Sequence, residues 1–197
     1  MGKVALVTGA GRGAGRLIAL ALAGRGVIVA ANDISPVNVE PVVDEIRAVG
    51  GRARVYIHDI AKKVDVQAMI NNVMDDFGHI DLLVNSANVQ VFTPLLSIDE
   101  WDLHRIFEVN IIGTLLVMQS VGRVMRTQGS GIVVNLVSIN ANAPASLIAS
   151  RTGIAAMTDR VNAEFAEQGL RVFAVHDENP LGALLVICRQ AWERPAL

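Results

Sequence analysis

Val4-Ala5-Leu6-Val7-Thr8-Gly9-Ala10-Gly11-Arg12-Gly13-Ala14-Gly15 runs straight into the helical pattern Leu17 to Ala23. A short aliphatic run that breaks into glycines and then becomes helical is the first strand, turn and helix of a parallel α/β sheet. Glycines at such a turn let the backbone fold tightly and approach a pyrophosphate. The negative charge of that group is favoured at the exposed N–H groups and positive dipole end of the helix. Gly9, Gly11, Gly13 and Gly15 are therefore the candidate cradle, with the cation Arg12 inside it.

Outward from this stretch the same alternation continues. Further apolar runs at Val27 to Ala31, Arg54 to His58, Ile80 to Asn85, Ile132 to Ser138 and Leu170 to Val175 read as strands. Between them, positions such as Val66, Met69, Ile70, Val73, Met74 and Phe77 recur at helical spacing. Strand and helix in strict alternation predict an α/β, doubly wound parallel sheet with helices on both faces. Ser97 with Glu100 predicts a capping box opening a helix through Ile106 and Asn110, and Gly50, Gly51 and Gly78 stand where helices should stop. Asp33 closes the second strand 18 residues after Gly15. A carboxylate there accepts hydrogen bonds from adenosine ribose hydroxyls and repels a 2′-phosphate, which favours NAD over NADP, whereas Arg12 is a counterweight. The competing reading of Asp33 is a helix cap beside Ser35 and Pro36.

Composition excludes several classes. Of the 197 residues 52% are hydrophobic and 18% charged, with a formal net charge of −2 and the Lys and Arg scattered, so no basic face is available for nucleic acid. The apolar run Ile111 to Met118 is too short for a membrane span, and no signal-peptide pattern precedes Lys3, so a cytoplasmic protein is expected. The single Cys188 cannot form an internal disulfide, and four His without ligand-like spacing give no metal site. No linker divides the chain, which reads as one domain over 1–197.

With these residues in view, the chain resembles the short-chain dehydrogenase/reductase family, whose glycine pattern TGxxxGxG is matched by Thr8, Gly9, Gly13 and Gly15. The resemblance implies a Rossmann-type sheet and NAD as cofactor. His58-Asp59-Ile60 is similar to the family's Asp-Val segment, which implies Asp59 at the adenine amino group. Asn85-Ser86-Ala87-Asn88 stands for the family's Asn-Asn-Ala-Gly, implying Asn85 and Ala87 beside the adenine ribose. By the same resemblance Asn110 holds a water of the proton relay, and Ser138 hydrogen-bonds the substrate carbonyl.

The family's Tyr-x-x-x-Lys falls on Leu147 and Arg151. Leucine cannot transfer a proton, and Arg151 keeps the positive charge that would bond the nicotinamide ribose but is bulkier than lysine and stays protonated. Only one tyrosine exists in the chain, Tyr56 in the third strand. The interval from Ser138 to Leu147 is about one helical turn shorter than in the family, and His176-Asp177-Glu178-Asn179-Pro180 replaces its Pro-Gly. Residues 176–197 are expected to be a divergent tail in place of the substrate-covering region, leaving the fold shortened at its C-terminal side.

Two functions follow as expectations. One is an NAD-dependent oxidoreductase on a carbonyl or alcohol with a compromised proton relay, in which Ser146, Ser150 or water replaces the missing acid. The other is a catalytically silent NAD(H)-binding sensor, scaffold or oligomer partner. The resemblance implies that the helices over Ser97 to Thr127 and Leu147 to Gln168 pack against the same pair of a second subunit. The apolar stretch Ile111 to Val121 accordingly predicts a homodimer or homotetramer. The small-molecule substrate is unspecified by any residue pattern.

Overall fold

Side chains on successive strand residues point to opposite faces, so a strand buried on both faces must be apolar throughout. In the computed structural model, which describes residues 2–139, 142–177 and 179–192, six strands meet this condition to differing degrees. They are β1 (Val4–Thr8), β2 (Ile28–Asp33), β3 (Ala53–Ile57), β4 (Leu82–Asn85), β5 (Gly131–Leu136) and β6 (Leu170–Val175). All are parallel, in the order β3-β2-β1-β4-β5-β6, with Leu6 facing Ala30 on one side and Leu83 on the other. This is the expected doubly wound sheet. The order reverses between β1 and β4, the place where such sheets open a crevice at the carboxyl ends of their strands.

Helices cover both faces. On one side α1 (Gly13–Ala23) and α2 (Pro36–Ala48) bury Ile18, Leu22, Val39, Val43 and Ile46 against Ala5, Val7, Val29 and Val84. On the other side lie α3 (Lys63–Phe77), α5 (Thr114–Gln128) and α6 (Ala145–Ala166). There Met69, Val73, Val117, Val121 and Met125 pack on Leu6, Ala30, Leu83 and Val133. Period-two alternation along β1 thus splits Ala5 and Val7 from Leu6 and generates two separate cores.

The strand readings hold to within a residue or two at most boundaries, and Gly78 caps α3 with φ 77°, as a C-terminal glycine should. One expectation is corrected. The helix expected to start from a Ser97 capping box is instead capped by Asp99, whose carboxylate accepts from the Asp102 N–H at 2.7 Å. A carboxylate two positions later is the stronger cap because it also carries charge at the dipole's positive end. That helix, α4 (Glu100–Phe107), passes through a π-helical segment at Glu108–Gly113 into α5.

Residues 180–192, within the stretch expected to be a divergent tail, form a helix, α7 (Pro180–Trp192); positions 178 and 193–197 lie outside the described residues. Pro180 suits a first helical position because its missing N–H would have no partner there. Leu184 and Cys188, one turn apart, are buried in the core that α1 and α2 cover. Along β6, the Val172 N–H donates to Asn162 Oδ1 at 2.9 Å and the Arg171 guanidinium to the Ala191 carbonyl at 3.0 Å.

Replacing Leu184, which has no exposed surface, by alanine should cost about 2–5 kcal/mol in denaturant unfolding if α7 belongs to the core as described. A second check is alkaline pH. Burial pushes the Cys188 thiol up to about 11 from 9.0. The Tyr56 phenol is also raised, first by burial and then by its 2.6 Å hydrogen bond to Asp76. Both groups are held neutral by the fold and ionise earlier in the unfolded chain. The Cys188 contribution is therefore complete below pH 9 and is lost as pH climbs from about 9 through 11, and the Tyr56 contribution starts to be lost only above pH 10, so stability should fall progressively across an alkaline titration from pH 9 upward.

Candidate functional site

Thr8, at the end of β1, lies across the crevice from β4. Its hydroxyl oxygen accepts from the N–H groups of Ser86 (3.1 Å) and Ala87 (3.2 Å), fixing the turn that follows β4. Gly9 then turns with φ 62°, and a Cβ on it would lie 2.6 Å from the Ala87 Cα. A Cβ on Gly15 would meet the Gly9 carbonyl oxygen at 2.2 Å. These two glycines are therefore demanded by contact between backbones. Gly13 differs: its φ is 57°, and nothing stands within 4 Å of a Cβ placed there, so it faces open space.

That space is a cleft of about 920 Å³ over the carboxyl ends of the strands. Its walls include Gly9, Arg12, Gly13, Asp33, Asp59, Ala87, Ser138 and Arg151, which brings together eight of the residues singled out from the sequence. Gly11, Gly15, Asn85 and Asn110 stand behind the wall rather than on it. Helix α1 points its N-terminus into the cleft. Its N-cap, Arg12, makes no side-chain capping bond, and the first turn holds no acidic residue. A helix end with uncapped N–H groups and no acidic residue in its own first turn is prepared for a ligand anion.

Asp33 is 9% exposed and serves the loop as well as the rim. One oxygen accepts from the Gly11 N–H at 3.1 Å and the other from the Ser35 N–H at 3.0 Å. Asp33 thus supports the turn into α2, where Ser35 itself makes no side-chain capping bond, and it also lines the cleft. Asp59 is held by the Ala61 N–H (3.0 Å) and by the Arg105 guanidinium (3.3 Å). Asn32, buried beside Asp33, donates to the carbonyls of Tyr56 and His58 and so anchors the β2 and β3 ends.

At the other end of the cleft the π-helical segment matters. A π turn widens the helix and re-aims a side chain, and here it carries Asn110, which is 4% exposed. The Asn110 amide clamps Val89 on both sides, accepting from its N–H at 2.7 Å and donating to its carbonyl at 3.0 Å. The same amide nitrogen lies 3.2 Å from Ser150 Oγ. Every polar atom of Asn110 is committed to the protein. Asn85 likewise turns inward, donating to Asn135 at 2.8 Å, and Asn135 donates on to Thr158 at 2.9 Å.

Ser138 and Arg151 meet. The Arg151 Nη1 donates to the Ser138 carbonyl, while the Ser138 hydroxyl donates to the Asp177 carbonyl at 2.5 Å. Burial lowers the Arg151 pKa, and its Nε is buried without a partner. Leu147, one turn before Arg151 on α6, is 2% exposed and contributes only packing. Tyr56 lies in the core under α3, bonded to Asp76, and does not line the cleft. Sequence reasoning missed Arg105, Asn32 and Asn88, all on the cleft wall. A signal existed only for Asn32, a polar residue inside an apolar strand that must find buried partners.

Among the described residues no group of His, Cys, Asp and Glu could hold a metal, and no helix is long and apolar enough to cross a membrane. Gly15→Ala should destabilise the fold by about 1–3 kcal/mol in urea titration, since the added methyl drives into a backbone carbonyl that cannot move independently of Ala87; Gly13→Ala, which meets no atom, should cost only the strain of the left-handed backbone, about 1–2 kcal/mol.

A model of the short chain dehydrogenase family matches residues 3–177. The chain is 35% identical to a D-threitol dehydrogenase of Mycolicibacterium smegmatis over 98% of its own length and 75% of that protein's. It is 37% identical to a 3-oxoacyl-(acyl-carrier-protein) reductase of Staphylococcus epidermidis, covering 89% and 74%. Among solved structures, a metagenomic short-chain oxidoreductase in complex with NADP superposes with a TM-score of 0.89 at 26% identity, covering 98% of this chain and 91% of that one. An NAD+-bound xylitol dehydrogenase does so at 0.84 and 29%, covering 98% and 78%. With the glycine turn, the parallel order and the crevice all in place, the chain belongs to the short-chain dehydrogenase/reductase family of oxidoreductases.

Proposed function

We propose that the chain binds NAD(H) in this cleft and is an oxidoreductase of a carbonyl or alcohol whose proton relay is compromised. The observation that carries the binding half is the uncapped N-terminus of α1 opening on Gly13 at the switch point, which fits a pyrophosphate. Asp33 at the rim keeps lone pairs for ribose hydroxyls and disfavours a 2′-phosphate, so NAD is preferred although Arg12 stands nearby. Asp59 and Ala87 line the adenosine side, with Gly9 beneath.

The bound dinucleotide would supply hydride exchange, and the chain's own residues must supply position and proton. Arg151 holds the nicotinamide ribose side. Asn110 fixes Val89 and with it the wall of the cleft. Leu147 cannot exchange a proton, and the expected substitute Ser150 is fully buried behind the cleft with its hydroxyl donating to the Leu147 carbonyl at 3.0 Å, so a carbonyl reduced here takes its proton from water. Losing the general acid lowers the rate by about 10²- to 10⁴-fold.

One observation favours the second reading, a catalytically silent NAD(H)-binding relative: the Ser138 hydroxyl, the donor a substrate carbonyl would need, is already given to Asp177. In either case the chain is one domain without nucleic-acid or membrane partners, expected in the cytoplasm. Trp101, Ile112, Leu115 and Ile148 leave apolar surface on the α4–α6 face that a homodimer or homotetramer would cover.

Calorimetric titration with NADH and, separately, NADPH tests the binding half. Micromolar NADH binding with weaker NADPH is the expected result, and binding of neither overturns the proposal. A Leu147→Tyr, Arg151→Lys double variant should then gain carbonyl reductase activity relative to the parent, by a factor approaching the loss above, if only the relay is missing.

A further inference from the structure

The reversal of strand order between β1 and β4 divides the cleft in two. The glycine turn follows β1, and the two acids that line the cleft, Asp33 and Asp59, stand at the end of β2 and after β3. The half built from the ends of β4, β5 and β6 and the chain after them is different. Its wall is made apolar by Val89, Phe92, Leu136, Pro180 and Leu181, and among the described residues no carboxylate lines it. Phe92, in the loop between β4 and α4, is 65% exposed. A phenyl ring left open on a cleft wall is apolar area that a hydrocarbon would take out of water.

The polar side chains of this half are largely spent on the protein. The Ser138 hydroxyl donates to the Asp177 carbonyl at 2.5 Å, and Arg151, the ribose contact of the dinucleotide-binding reading, gives Nη1 to the Ser138 carbonyl. Asn88 donates to the Ser86 carbonyl at 3.2 Å and its Oδ1 is buried, while Asn179 Oδ1 accepts from the Gly182 N–H at 3.3 Å. Among the described residues that leaves the Gln90 amide and the Asn179 Nδ2, both on exposed residues where water competes. A ligand with a single oxygen at Ser138 can be met by the turning of one hydroxyl. Each further hydroxyl laid against Val89, Leu136 or Leu181 gives up its water and gains no partner, a loss on the order of tenfold in affinity per group.

We infer that the small molecule taken by this half of the cleft is an alcohol or carbonyl compound with a hydrocarbon body, and not a polyol: one oxygen at Ser138, and for the rest apolar surface laid on Phe92 and its neighbours on the wall. This rests on the dinucleotide-binding reading for placing the reacting carbon at Ser138, and it names the substrate class which that reading leaves open. Phe92 is the specificity-determining residue, because its ring is the part of the wall that the chain itself leaves most open.

The test uses NADH-saturated full-length protein titrated with cyclohexanol and, separately, with inositol, which is the same six-carbon ring bearing five more hydroxyls. NADH cannot take a hydride from an alcohol, so the heats report binding alone. Cyclohexanol should bind at least about tenfold more tightly than inositol. Phe92→Ala should weaken cyclohexanol by about five- to tenfold while leaving NADH affinity unchanged, and Phe92→Leu, which keeps an apolar side chain, should recover most of the loss. Inositol binding as tightly as cyclohexanol overturns the inference, as does NADH binding with no cyclohexanol binding. Cyclohexanol binding that is unchanged in Phe92→Ala overturns it too, and weakening of NADH alone in that variant assigns the ring to the nicotinamide instead. If NADH fails to bind, the dinucleotide reading falls, and cyclohexanol titrated into the protein alone decides the apolar subsite separately: binding that Phe92→Ala weakens upholds it, and no binding overturns it. Thermal unfolding checks the variants. Phe92 belongs to neither core, so Phe92→Ala should melt with the parent, and cyclohexanol should raise the parent's melting temperature more than the variant's.

Discussion

Everything in the cleft depends on how closely two backbones pass at Gly9 and Ala87. A single Cβ on Gly9 would collide with the main chain that follows β4, so the first turn and the fourth strand are locked by absence of a side chain. Thr8 completes the lock by accepting both N–H groups of that following turn. Because β1 and β4 are the strands between which the order reverses, this one contact sets the mouth of the crevice, the entry of α1 and the position of Ala87 together. The close approach is geometric, and glycine is the residue that permits it.

A second constraint runs through the helical layer over β4 and β5. Asn85, Asn135 and Thr158 form a chain of buried polar contacts, and Asn110 with Ser150 forms another beside it. Buried amides specify one arrangement because any slip leaves a donor or acceptor unmet. From the π-helical segment Asn110 grips Val89 on both its N–H and its carbonyl. The site wall is therefore held from behind by residues that do not line it.

Much of this is legible in the sequence, and for physical reasons. Parallel strands buried on both faces must be continuous aliphatic runs, so β1, β2, β4 and β5 are visible as such. The glycine spacing, with Asp33 after the second strand, is local chemistry that survives without knowledge of the fold. What fails to show is contact across distance in the chain. Arg105 lies 46 residues from Asp59, and Ser138 finds the Asp177 carbonyl 39 residues on, through a turn whose path no local pattern encodes. The Asp99 cap was hidden by a competing Ser97 with an equally plausible partner. In α7 the pattern is present, as Leu181, Leu184, Leu185 and Cys188 share a helical face after Pro180, but the family resemblance stops guiding the eye there.

The bonds along β6 reach beyond the site. Among the described residues this strand pairs with β5 on one side only, and an outer row of unpaired amides is a template for another chain to add itself as a further strand. Asn162 answers the Val172 N–H from within α6, and Arg171 is drawn across to the end of α7. Runaway strand addition, the first step toward amyloid-like aggregates, therefore meets an edge whose hydrogen-bonding capacity is partly spent at home. Addition of a further strand is thereby opposed at that border of the sheet.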